Sequence, residues 1–114
     1  MKNLIFSIFL SFSAFAIGQN IPNAKTVNVK ISGNCGMCKQ TIETAANKKG
    51  ETILDWNSAK KVASLTYDSI RTTPQDVLKR VADAGYDNEF HQGNDDVYAK
   101  LHKCCLYDRN NHNQ

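Results

Sequence analysis

A small α+β sandwich follows from three features of this 114-residue sequence. Apolar residues alternate at period two in 25–31, 52–56 and 62–67. They recur at helical spacing in 38–46 and 77–82, and turn residues separate these runs. With a last short strand at 86–90, the order is strand, helix, strand, strand, helix, strand. Two strand–helix–strand units of similar length predict the ferredoxin-like βαββαβ arrangement, a four-stranded antiparallel sheet with two helices on one face.

In the first strand Val27, Val29 and Ile31 share one face, and Thr26, Asn28 and Lys30 the other. Ser32-Gly33-Asn34 breaks the run. From Cys38 onward Ile42, Ala45 and Ala46 form the buried stripe of a helix, Thr41, Glu43 and Lys48 face water, and Gly50 stops it. Leu54 and Trp56 share a face of the second strand, as do Ala63, Leu65 and Tyr67 of the third. Asn57-Ser58-Ala59-Lys60 between them is hairpin-turn chemistry. Thr73 is placed to cap the second helix, Pro74 to open it and Gly85 to end it, with Val77, Leu78, Val81 and Ala82 inward. Beyond residue 90 the composition shifts. Residues 91–94 read as a linker, 95–103 as a helix with Val97, Tyr98 and Leu101 inward, and 108–114 as a frayed polar end.

The chain opens with Lys2 and an apolar run from Leu4 to Phe15 broken only by serines, ending in Ala14-Phe15-Ala16. That is the pattern of a secretory signal peptide cleaved after Ala16. A retained anchor helix is the competing reading, but the run falls short of the about 20 apolar residues a membrane span requires. The expected organisation is a signal peptide at 1–16, a polar lead-in at 17–24, the folded domain at 25–90 and a tail at 91–114. The protein is expected in the periplasm or secreted, where disulfides are permitted. The formal charge of +3 is scattered, with no run of like charges longer than a pair, which argues against nucleic acid as a partner. There is no serine–histidine pair in context, no carboxylate dyad and no phosphate loop, so no enzymatic activity is expected.

Chemistry is concentrated in four cysteines. Cys35-Gly36-Met37-Cys38 lies between the first strand and the first helix, where free backbone N–H groups favour thiolate over thiol. Two thiolates separated by two residues can close on one soft ion, so Cu(I) leads, with Hg(II) acceptable on the same grounds. Zn(II) prefers four ligands, and the loop offers neither an acid nor a histidine. Two other readings compete at this point. One is a structural Cys35–Cys38 bridge, which would restrain little chain. The other is an extracytoplasmic thiol–disulfide oxidoreductase using the same pair. Against the second, Met37 stands where a proline is usual, and no tryptophan precedes Cys35. The tail carries His102-Lys103-Cys104-Cys105. A bridge between adjacent cysteines would close a strained eight-membered ring. Cys104 and Cys105 can join the first pair on one ion, bind a second ion with His102, or form disulfides with Cys35 and Cys38.

The stretch from Ser32 to Lys39, set in this element order, resembles the heavy-metal-associated domain of copper chaperones, metal-pumping ATPases and periplasmic mercury-binding proteins. Ala84-Gly85-Tyr86-Asp87 and Thr66-Tyr67-Asp68 match as well, so the resemblance covers residues 25–90. It implies that Cys35 and Cys38 are metal ligands, with Tyr86 beside the loop. It also implies a metal-transporting membrane protein or another carrier as partner, to a monomer or a metal-bridged dimer. The family usually has Gly-Met-x-Cys, whereas this chain has Ser32-Gly33-Asn34 before Cys35 and places Met37 between the cysteines. Met37 then either turns inward or stands beside the metal as a thioether. Lys39 is positioned in sequence to offset a bis-thiolate's charge, or to lie exposed at the helix start.

Overall fold

Period-two burial builds the sheet. The computed structural model describes residues 20–109, so the expected signal peptide at 1–16 lies outside the described residues. Strands β1 (Ala24–Lys30), β2 (Thr52–Asn57) and β3 (Val62–Asp68) form one antiparallel sheet in the order β1-β3-β2. The register sets Val29 opposite Ala63 and Val27 opposite Leu65. Across the other edge of β3, Trp56 faces Ala63 and Leu54 faces Leu65, so one face of all three strands is apolar. Helices α1 (Gly36–Ala46) and α2 (Pro74–Asp83) bury Ile42, Ala46, Val77, Leu78 and Val81 in the same core as that face. Trp56 is buried in this core, and its indole Nε1–H donates to the Ile31 carbonyl at 2.9 Å.

Local chemistry fixes each element. The Thr73 hydroxyl accepts from Asp76 N at 3.2 Å and Pro74 opens α2, a cap worth about 1 kcal/mol. Gly85 ends that helix at φ +105°, a conformation glycine adopts without steric cost. The Asn57 side chain accepts from Ala59 N and Lys60 N, both at 2.9 Å, closing the hairpin turn ahead of Lys61 at φ +58°. The orphan carbonyls at the end of α1 are taken by α2. Arg80 donates to Ala45 O at 3.1 Å and to Ala46 O at 2.6 Å.

The expected fourth strand is not formed. Residues 86–90 run beside β1 but share with it a single bridge, Ile31 with Asn88, flanked by Ser32 N→Asp87 O (2.9 Å) and Glu89 N→Lys30 O (3.1 Å). Side chains and the tail intercept the rest of the ladder. Lys30 N donates to the Glu89 carboxylate at 2.7 Å, and Asp87 N donates to the Tyr107 hydroxyl at 2.8 Å. The Asn88 side chain accepts from Phe90 N and His91 N, turning the chain away. The described sheet therefore has three strands.

The tail also differs from expectation. The helix expected over 95–103 stops early as α3 (Asp95–Ala99), started by the Asn94 side chain accepting from Val97 N. His102, extended at ψ 150°, separates it from a 3₁₀ turn at Lys103–Cys105. Tyr98 and Leu101 pack on the core as expected. Arg109 is not frayed. It pairs with Asp87 at 2.8 Å and with Asp95 at 2.8 Å, while residues 110–114, His112 among them, lie outside the described residues.

Candidate metal centre

Two segments far apart in sequence meet at the start of α1. Cys35 is the residue before the first helical turn, its backbone extended at φ −132° and ψ 179° and its side chain half-buried. Cys38, one turn on, points into the core and is fully buried. The 3₁₀ turn brings Cys105 to 1% exposure beside them and leaves Cys104 exposed. Cys38 and Cys105 are disulfide-bonded across 67 positions, with their Cα atoms 5.6 Å apart. Cys35 Sγ lies 3.6 Å from Cys38 Sγ, 3.7 Å from Cys105 Sγ and 2.7 Å from Cys104 Sγ. The donors of Cys35, Cys38 and Cys105 all lie within 4.8 Å of one another, a group that could hold a metal ion. Of the arrangements open to the tail, the structure thus folds it back over the first pair, with Cys38 bonded to Cys105 and not to Cys35.

Electrostatics separate the two free thiols. The hydrogen bond with Cys104 does most to lower the Cys35 pKa. The backbone N–H groups of Cys38 and Met37 and the Lys61 ammonium act in the same direction, and burial partly opposes them. The Cys104 pKa is raised by the same contact. Asn34 N–H donates to Cys38 Sγ at 3.5 Å, adding a backbone dipole aimed at sulfur.

The other expected site residues fall in different places. Tyr86 is fully buried. Burial pushes its phenol pKa up, and negative charge on Cys35 and Cys104 adds to the rise, so it stands within electrostatic reach of the sulfurs. Met37 is 46% exposed and has not turned inward. Lys39 is engaged elsewhere, its ammonium 2.6 Å from Glu43, 2.7 Å from Asp55 and 2.8 Å from Trp56 O. Lys61 is the cation that acts on Cys35, and it also sits over the Trp56 ring at 5.6 Å. His102 is exposed and stands outside the three-sulfur group.

A clamp unmarked by any sequence motif holds the tail. The Tyr107 hydroxyl donates to Gly85 O and accepts from Asp87 N, both at 2.8 Å, and the ring stacks on Tyr86 at 5.9 Å between centroids. Asp87, 1% exposed, accepts from Gly93 N at 2.6 Å and from two nitrogens of Arg109. Arg109 in turn lies over the Tyr98 ring at 4.6 Å. Two residues after Cys105, Tyr107 therefore fixes where the tail sulfurs sit. The one available signal was an aromatic and an arginine in a stretch otherwise read as polar.

No family model matches the sequence. The chain is 31% identical over 94 residues to the mercuric transport protein periplasmic component of Shigella flexneri, covering 81% of this chain and 100% of that protein. Among solved structures it is similar to the CopZ metallochaperone. That match has a TM-score of 0.53 and 26% identity, over 56% of this chain and 98% of that one. A thiol cluster at a helix start on this architecture defines a metal-binding domain, and the chain belongs to the heavy-metal-associated family.

Proposed function

We propose that the protein is an exported carrier of a soft metal ion, taking up Cu(I), or Hg(II) by the same chemistry, on Cys35 and Cys38. The observation that carries this reading is the convergence of cysteine sulfurs at the start of α1. Soft thiolates select soft ions, and an N-terminal helix dipole with a nearby Lys61 favours the thiolate form. The relatives support a carrier: one is named as part of mercuric transport and the other as a metallochaperone. Export rests on the signal-peptide pattern of residues 1–16 and on the periplasmic assignment of the Shigella relative.

Loading requires the Cys38–Cys105 bond to be opened first. A dithiol reductant gives up two electrons and two protons, becomes a disulfide, and leaves both cysteines as thiols. Binding then releases the thiol protons. Release proceeds by ligand exchange: a thiolate of a metal-transporting membrane protein or second carrier bonds to the ion as Cys35 leaves and is reprotonated. No net oxidation occurs.

The test is Cu(I) titration of fully reduced protein under anaerobic conditions, in competition with a colorimetric Cu(I) chelator. One tightly held equivalent is expected, and its loss in Cys35→Ser. A reduced protein unable to draw Cu(I) from the chelator overturns the reading. Insulin reduction by the same preparation at a rate above the reductant blank would favour the oxidoreductase instead.

A further inference from the structure

We propose that the tail completes the metal site: the ion is held by three sulfurs, Cys35, Cys38 and Cys105, and Cys104 is the outer thiol through which it enters and leaves. The inference rests on the carrier reading above and specifies the ligand set of that same site.

Sulfur spacing is the first argument. A metal–thiolate bond of about 2.3 Å in a trigonal plane sets sulfurs about 4 Å apart, whereas a linear pair needs about 4.6 Å. Cys35 Sγ stands 3.6 Å from Cys38 Sγ and 3.7 Å from Cys105 Sγ, close to the edge of a three-sulfur triangle and well short of the linear span. Once reduced, the Cys38 and Cys105 sulfurs need only separate to the same distance.

The second argument is that Cys105 does not depend on its disulfide to stay in place. Tyr107 is hydrogen-bonded on both sides, to Gly85 O and from Asp87 N, and Arg109 is paired to the buried Asp87 carboxylate. Reduction breaks none of these contacts, so the tail remains docked with a thiol at 1% exposure beside the loop. Such a fixed third donor is what a preorganised site requires.

Exposure separates the two tail cysteines by role. Cys105 is buried with Cys38, while Cys104 faces solvent 2.7 Å from Cys35. An incoming ion bonded to Cys104 passes to Cys35 by one exchange, the Cys104–metal bond breaking as the Cys35–metal bond forms. The reverse step presents the ion to a partner. A third buried thiolate slows that departure, so the protein retains its ion more strongly than a two-thiolate carrier.

X-ray absorption on reduced protein carrying one equivalent of Cu(I) reads the ligand count directly. Three sulfurs are expected; two or four overturn the proposal. In Cys105→Ser the count should fall to two, and Cu(I) affinity by at least about tenfold, the scale on which lost ligand support weakens metal sites. Cys104→Ser should keep three sulfurs on the bound ion but deliver Cu(I) to a chelator more slowly. Unchanged affinity in Cys105→Ser, or unchanged delivery in Cys104→Ser, contradicts the assigned roles. Wild-type protein that binds Cu(I) through two sulfurs sinks only this inference, whereas protein that takes no Cu(I) sinks the carrier reading as well.

Discussion

Gly33 and Gly36 lie on either side of Cys35 in the metal loop. Only one is sterically required. A Cβ on Gly33 would lie 2.9 Å from two carbons of the Trp56 ring, which its bond to Ile31 O holds in place, whereas a Cβ on Gly36 meets nothing within 4 Å. Gly33→Ala should therefore cost about 1–3 kcal/mol in urea unfolding. Gly36→Ala, at the first position of α1, should be neutral or stabilising by up to about 1 kcal/mol. Titration also acts at this scale. Burial is the main cause that raises the Tyr86 and Tyr107 phenol pKa values. Both stay protonated in the folded chain at a pH where the unfolded chain, near pKa 10, has lost those protons. Their contribution to stability is thus fully present below about pH 10 and is lost as pH rises toward the folded values. An ultraviolet titration should show Tyr86 and Tyr107 ionising late, their release coinciding with unfolding. Ionisation of Tyr86 and Tyr107 near pH 10 in folded protein would contradict this.

Among the elements, the legible ones are those whose stabilising partners are close in the pattern. β1, β3, α1 and α2 declare themselves because periodic apolar residues match one buried face, and Thr73 with Pro74 supplies the start of α2 from adjacent positions. The segment 86–90 carries strand-like residues, but its N–H groups are claimed by partners no local pattern reveals: Tyr107, 20 residues on, and the side chain of its own Asn88. The metal loop was legible as a spacing of two cysteines, and the tail pair as a cluster. Their junction was not, because it depends on the Tyr107–Asp87–Arg109 clamp. Tyr107→Phe tests that clamp. It removes the donor to Gly85 O and leaves the buried Asp87 N–H without its acceptor, at a cost of about 1–3 kcal/mol. In reduced protein, alkylation of Cys105 should accelerate with the loss of docking; an unchanged rate would show that the sulfurs alone position the tail.

At the scale of the whole molecule, one disulfide joins the start of α1 to the end of the tail over 67 positions. Closing a loop of that length stabilises by up to about 4 kcal/mol in the chain-entropy picture, and measured values are commonly smaller. Reduction of the metal-free protein should lower its unfolding free energy by about 2–4 kcal/mol. One equivalent of Cu(I) added to the reduced protein should recover much of that loss, because an ion bound only to the folded state stabilises it by mass action. Reduction without effect on the urea midpoint would deny the bond a structural role.

The same bond changes what a cut in the backbone means. Lys100 and Lys103 are exposed and lie between the domain and the tail cysteines, so trypsin can sever the chain there. In the oxidised protein the severed peptide stays tethered to Cys38, and the intact mass should rise only by one water. Reductant should then free a C-terminal fragment beginning at Leu101 or Cys104, according to which lysine was cut. Backbone continuity and molecular integrity are thereby uncoupled: the protein tolerates a nick in its tail until the moment it is reduced to accept its cargo.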